Sequence, residues 1–257
     1  MLAWALQCFC YSTPLCLPKT ILIVMDKLQW DLSLMLTPTA PLDVPLQALG
    51  HVYGLAALVS VIPQRPLYIS YDVSAKVLDM ATQLLKRAAE HDLKIGGIEV
   101  EIAWTLIQVA SLMSLGPNFV GPHLPQLLGL WRNALLKPTN KDSTNNVGRS
   151  VNEWTFLLQV RESVVSEKIL CFLQHNSATL VTLDVARRIT SVLSNALLLA
   201  NSFIAQNVED HSKIQPPVVP KKGLTMRDQE SLLHRRVYQC FTALGFSSIA
   251  ESTQVVM

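Results

Sequence analysis

Apolar residues recur at three- and four-residue spacing along nearly the whole chain, in long segments parted by short breaks of Pro, Gly, Asn or Asp. This period is that of a helix with one buried face. A first helix is expected over 21–36, stopped by Thr37-Pro38, because a proline disfavours helix in the residue before it and has no backbone donor. A second is expected over 46–62, where Gly50 and Gly54 strip one face of side chains and allow a neighbour to approach closely; Pro63 and Pro66 stop it. Residues 72–91 read as the most regular amphipathic helix. Val73, Val77, Leu78, Ala81, Leu84, Leu85 and Ala88 share one face, Lys76, Gln83, Lys86 and Arg87 lie on the other, and Asp72 is the expected N-cap. Gly96-Gly97 is expected to separate it from a helix over 98–115, with Glu99 and Glu101 in its first turn and Gly116-Pro117 as its stop.

Pro122 or Pro125 is expected to open a shorter helix with Leu124, Leu127, Leu128, Trp131 and Leu135 on one stripe. The stretch 137–151 (KPTNKDSTNNVGRSV) has too few apolar residues to order itself by burial and reads as a surface loop. Two long helices over 153–174 and 183–205 are then expected to face each other as an antiparallel pair across His175-Asn176-Ser177. A polar linker over 206–226 leads to a helical pattern that resumes within 227–257 and is expected to lack its partner. No period-two alternation runs long enough to seed a sheet. The fold class is therefore all-α. Helices grouped in twos, in units of about 40 to 50 residues, are the footprint of a HEAT or armadillo-type α-solenoid of antiparallel helix pairs. Residues 1–20 read as an irregular N-terminal extension, and 21–205 as the helical-repeat segment.

Composition narrows the function. Half of the 257 residues are hydrophobic and 16% are charged, which excludes a disordered tail. The 21 Lys and Arg nearly balance the 19 Asp and Glu, which disfavours generic binding to nucleic acid or to an anionic membrane. Five cysteines, three of them within the first sixteen residues, do not make a secreted disulfide framework. Charges interrupt the apolar runs at 19–36 and 184–205, so neither is expected to span a membrane, and residues 1–18 lack the basic start of a signal peptide. The expected compartment is the cytoplasm.

No candidate chemistry rises above this. Cys8, Cys10 and Cys16 lack a nearby fourth ligand to close a tetrahedral metal site. The histidines (51, 91, 123, 175, 211 and 234) include no i, i+4 pair; His91 and His175 are expected to meet free carbonyls near helix ends. Glu99 and Glu101, two apart, fall on different sides of a helix, and no glycine-rich phosphate loop is present. Trp104 and Trp131 are expected core anchors; Trp154 is open between core and surface. The pairs Lys86-Arg87, Arg187-Arg188, Lys221-Lys222 and Arg235-Arg236 form either a ridge for acidic peptides or lipid headgroups, or solvated helix faces. No catalytic, cofactor-binding or metal-ligating residue is nominated, and no enzymatic activity is expected.

Three stretches carry a resemblance: WDLSLMLTPTAPLDVPLQALGHVYGLAALVSVIPQRPL (30–67), WTLIQVASLMSLGPNFVGPHLPQLLGLWRNALLK (104–137) and LLQVRESVVSEKILCFLQHNSATLVTLDVARRI (157–189). They resemble the HEAT-repeat-containing protein 5 family, which includes the yeast large adaptin-associated protein. The most specific element is the Leu-Gly-Pro, His-Leu-Pro, Leu-Trp-Arg-Asn series from Leu115 to Asn133. The resemblance covers roughly 22–205 and implies a non-catalytic scaffold peripheral to trans-Golgi and endosomal membranes. Its implied partners are the clathrin adaptor complex and accessory proteins of vesicle-mediated transport. Family members are far longer, so the chain is expected to be a fragment or short form. An alternative is a purely structural segment of a longer solenoid, with no binding partner of its own.

Overall fold

A computed structural model describes residues 1–91, 93–108, 113–136, 151–207 and 226–245, and every regular element among them is helical. In order they are α1 (Leu2–Ser12), α2 (Leu17–Met35), α3 (Val44–Val59), α4 (Tyr71–Arg87), α5 (Leu93–Ile107), α6 (Pro117–Ala134), α7 (Val151–Ser163), α8 (Cys171–Leu180), α9 (Leu183–Asn207) and α10 (Met226–Gly245). Val164–Leu170 forms a π-helical stretch joining α7 to α8. The expected loop at 137–151 and linker at 206–226 lie almost entirely outside the described residues, as does Lys221-Lys222. The chain divides into two compact units, Met1–His123 and Leu124–Met257, the division falling inside α6.

In the first unit α3 is the central helix, packed against α1, α2 and α5, and α4 packs on α5. Ala48, Val52, Leu55, Leu58 and Val59 of α3 are fully buried. The pairs expected from sequence, α2 with α3 and α4 with α5, are neighbours. On α4 the apolar face is buried at Val77, Leu78, Ala81 and Leu84, while Lys76, Gln83 and Lys86 are exposed, as the periodicity requires. Its cap differs: Ser70 is the N-cap and donates its hydroxyl to the Asp72 carboxylate at 3.0 Å, so Asp72 sits in the first turn.

Further expectations in this unit are corrected. Residues 2–12, expected to be irregular, form α1, which carries no charged residue and buries Cys10. Its Leu6 lies 3.9 Å from the Cβ position of Gly54, so the close neighbour that Gly54 admits is α1. Gln7 donates to Ser60 at 2.8 Å, and Arg65 donates to the Tyr11 carbonyl at 3.1 Å while its guanidinium lies over the Tyr11 ring. The second correction concerns Gly96-Gly97, which lies within α5 rather than before it. A Cβ on Gly96 would stand 2.5 Å from the Ala88 carbonyl oxygen, so this glycine marks a close backbone approach and not a stop. Gly116, with φ of +70°, does punctuate the chain, and Pro117 takes the first position of α6. Pro122 and Pro125 fall inside α6, each removing one backbone donor without ending the helix.

Val44–Gln64 is long and apolar enough to cross a membrane by length and composition alone, and half of it is buried within this unit. Its packing on three helices is that of a core helix. The bent pair Leu2–Ser12 and Pro14–Met35 turns through 111°.

In the second unit α10, expected to lack a partner, is the element the others pack around: α7, the π-helical stretch, α8 and α9 all touch it, through fully buried Leu233, Val237 and Cys240. The expected turn at His175-Asn176-Ser177 lies inside α8, which runs on to Leu180. The helix break falls instead at Val181 and Thr182, where the Thr182 hydroxyl accepts from the Val185 amide at 3.3 Å and caps α9. The α9 stripe of Val185, Ile189, Val192, Ala196 and Phe203 is buried. Trp131 packs on Phe172 at 5.4 Å, and Asn195 donates to the Leu135 carbonyl at 3.1 Å.

A candidate partner-binding groove beside α10

The buried stripe of α10 leaves an opposite stripe outward. Arg235, Tyr238 and Thr242 are exposed and Gln239 is half-buried, at i, i+3, i+4 and i+7 spacing along one side of the helix, with half-buried Arg236 beside them. With Leu170, Gln174 and Ala243 they line an open groove of about 600 Å³. Gln174 is supplied by α8 and Leu170 by the end of the π-helical stretch.

Several interactions fix the walls. On α10, Arg236 donates from Nε to Glu162 at 3.2 Å and from Nη1 to the Gln239 side-chain carbonyl at 3.0 Å. Cys240 donates from Sγ to the Val165 carbonyl at 3.7 Å, and burial pushes its thiol up to about 12 against a weaker pull from Arg236. One turn earlier, His234 lies 2.5 Å from the Glu230 carboxylate and 3.3 Å from Asn201 of α9. Arg235 is the exception: no carboxylate among the described residues pairs with it.

The wider turn of the π-helical stretch displaces side chains from the ordinary helical register and carries Lys168 inward, to 1% exposure. Its Nζ donates to Glu167 at 2.7 Å, and Ser163 donates to the same carboxylate at 2.9 Å. Burial holds Lys168 below its ordinary value, opposed by Glu167. For Glu167, burial acts upward, but the Lys168 ammonium and the bonds from Lys168 and Ser163 outweigh it and hold the carboxyl low. Burial raises the Cys171 thiol.

The other residues weighed from sequence serve packing or local pairing. Trp104, Trp131 and Trp154 are all core residues; Trp154 meets Phe203 edge-on at 5.2 Å. His175 Nδ1 meets the Cys171 carbonyl of its own helix at 2.8 Å, whereas His91 meets no carbonyl end but lies 2.6 Å from buried Glu99. Glu99, not the exposed Glu101, is the carboxylate that matters here: Arg87 donates to its other oxygen at 3.0 Å. Because α5 starts at Leu93, both acids lie beyond its first turn. Of the cysteines, Cys8 and Cys16 are exposed, Cys10 is buried, and all five are free. Among the described residues no three His, Cys, Asp or Glu side chains converge. Arg187 and Arg188 are exposed on α9, where Arg188 pairs with Asp184 at 2.9 Å; Arg235 and Arg236 both line the groove, and Arg87 lines a smaller one between α2 and α4.

The sequence pattern exposed this one pair but not its companions. Gln174, Tyr238, Gln239 and Thr242 are ordinary surface residues until α8 and α10 are laid side by side. The chain matches no protein-family model, and no solved structure matches it.

Proposed function

We propose that the chain is a HEAT-type α-solenoid segment of the HEAT-repeat-containing protein 5 family. In this reading it is a non-catalytic scaffold that acts with the clathrin adaptor complex and its accessory proteins in vesicle traffic between the trans-Golgi network and endosomes. It attaches to those membranes peripherally, from the cytoplasm and through its partners. The observation that carries the reading is the Leu115 to Asn133 series, in which Gly116 supplies the left-handed turn and Leu124, Leu127, Leu128 and Trp131 the buried stripe. A scaffold works by presenting shaped helical surface, and the groove beside α10 is surface of that kind.

The test is capture of adaptor subunits from cytosol by the intact, immobilised chain. Enrichment over a helical control protein of equal charge is the expected result. A chain that is folded by circular dichroism and enriches none of them overturns the reading. The second reading, a structural segment that meets only further repeats, is favoured by large apolar side chains left exposed in the first unit, among them Leu2, Trp4, Leu15, Trp30 and Leu46. It predicts that no adaptor subunit is captured.

A further inference from the structure

We infer that the groove beside α10 docks an extended acidic peptide, with an Asp or Glu side chain held by Arg235 and an aliphatic side chain resting on Leu170 and Ala243. The inference deepens the proposed function and rests on it only in taking the chain to be a protein-binding scaffold.

Charge complementarity carries the argument. Glu162 already neutralises Arg236, and Glu167 is taken by Lys168, so among the described residues Arg235 stands as the one unbalanced charge at the groove. A guanidinium offers paired donors in a plane that matches a carboxylate, and no carboxylate among the described residues occupies it. The rest of the lining suits a peptide main chain. Gln174 and Gln239 bring amide groups, the Gln239 oxygen being held by Arg236. The apolar end at Ala243 lies two helical turns from Arg235, a rise of about 12 Å, which an extended peptide covers in three to four residues. A single unbalanced cation is poorly matched to a polyphosphorylated lipid headgroup, which calls for several cations at once. Arg236 is held in place by Glu162 and Gln239, so the wall needs little ordering when a ligand arrives.

The test is selection of short random peptides displayed on phage against the intact chain, run in parallel on Arg235→Glu, on Thr242→Trp, which fills the groove, and on Arg188→Glu as a charge-matched control on α9. The expected result is enrichment of peptides with Asp or Glu three or four residues from Leu, Ile, Val or Met. Binding of those peptides falls about ten-fold or more in Arg235→Glu and in Thr242→Trp, and is kept in Arg188→Glu. Enriched peptides without acids, or binding indifferent to both groove substitutions, overturns the inference. Binding to phosphatidylcholine vesicles carrying a phosphoinositide that depends on Arg235, with no acidic peptides selected, overturns it in favour of a headgroup. The adaptor capture experiment separates the two proposals. Acidic peptides selected at the groove without adaptor capture remove the trafficking reading and leave the groove. Adaptor capture equal in wild type and Arg235→Glu, with no acidic peptides selected, does the reverse.

Discussion

A methyl group is enough to measure how tightly the start of α5 meets the end of α4. Gly96→Ala places a carbon 2.5 Å from the Ala88 carbonyl oxygen, and backbone on both sides must give way. A loss of about 1–3 kcal/mol is expected by denaturant unfolding, although alanine is the better helix former. Gly129→Ala, on the exposed side of α6 with nothing within 4 Å, is the counterpart and should gain up to about 1 kcal/mol. Cys240 supplies a pH signature. Folding raises its thiol from 9.0 to about 12, so between these values the unfolded chain releases a proton that the folded chain keeps. Stability from this residue is therefore complete below pH 9 and falls as pH rises, by about 1.4 kcal/mol per unit. Lys168, held low by burial, acts in the opposite sense, so the comparison is with Cys240→Ala. Melting curves from pH 8 to 11 should show a shallower alkaline decline in that variant, and equal slopes would refute the assignment.

At the scale of elements, periodicity missed α1 as a helix and, though it placed α10, missed the helices that pack on it. The α1 segment is apolar but for Gln7 and Ser12, so no polar face announces an amphipathic helix, and its place is set by Gly54, Ser60 and Arg65 far along the chain. Removing residues 1–13 should cost at least about 3 kcal/mol and raise dye binding to exposed apolar surface, since Leu6 and Cys10 leave the face of α3 unfilled. A truncated chain with an unchanged melting temperature would show α1 to be dispensable. For α10, Leu233→Ala should cost about 2–5 kcal/mol, because the side chain is fully buried where several helices meet. The turn expected at His175 failed for a related reason. Asn and Ser often break helices, but Asn176 is buried inside α8, and tertiary context outweighs a weak local preference.

For the whole molecule, near-balanced charge and exposed apolar surface act together. With an isoelectric point near 8.3 and side chains such as Leu2, Trp4 and Trp30 exposed, repulsion between copies is weakest near that pH. Light scattering across pH 6 to 9 should show self-association greatest near pH 8.3 and least at pH 6. Association independent of pH would mean that the apolar surface alone governs it. Near-neutral charge also means that recognition by this chain depends on local arrangement, as at Arg235, and not on a field over the molecule.

Sequence alone determined the helical class, the pairing of α2 with α3 and α4 with α5, and the buried stripes of α4, α6 and α9. All of these follow from a 3.6-residue period or from short connections, which are local properties of the chain. Tertiary structure decided what depends on residues distant in sequence. Gly96 reads as a stop until Ala88 lies against it, and Lys168 is buried only because a π-helical turn carries it inward. Arg235 reads as one of several basic pairs until α8 and α10 close a groove around it. Whether a glycine breaks a helix or lets another backbone approach, and whether a cation is spent or available, is settled by what packs beside it.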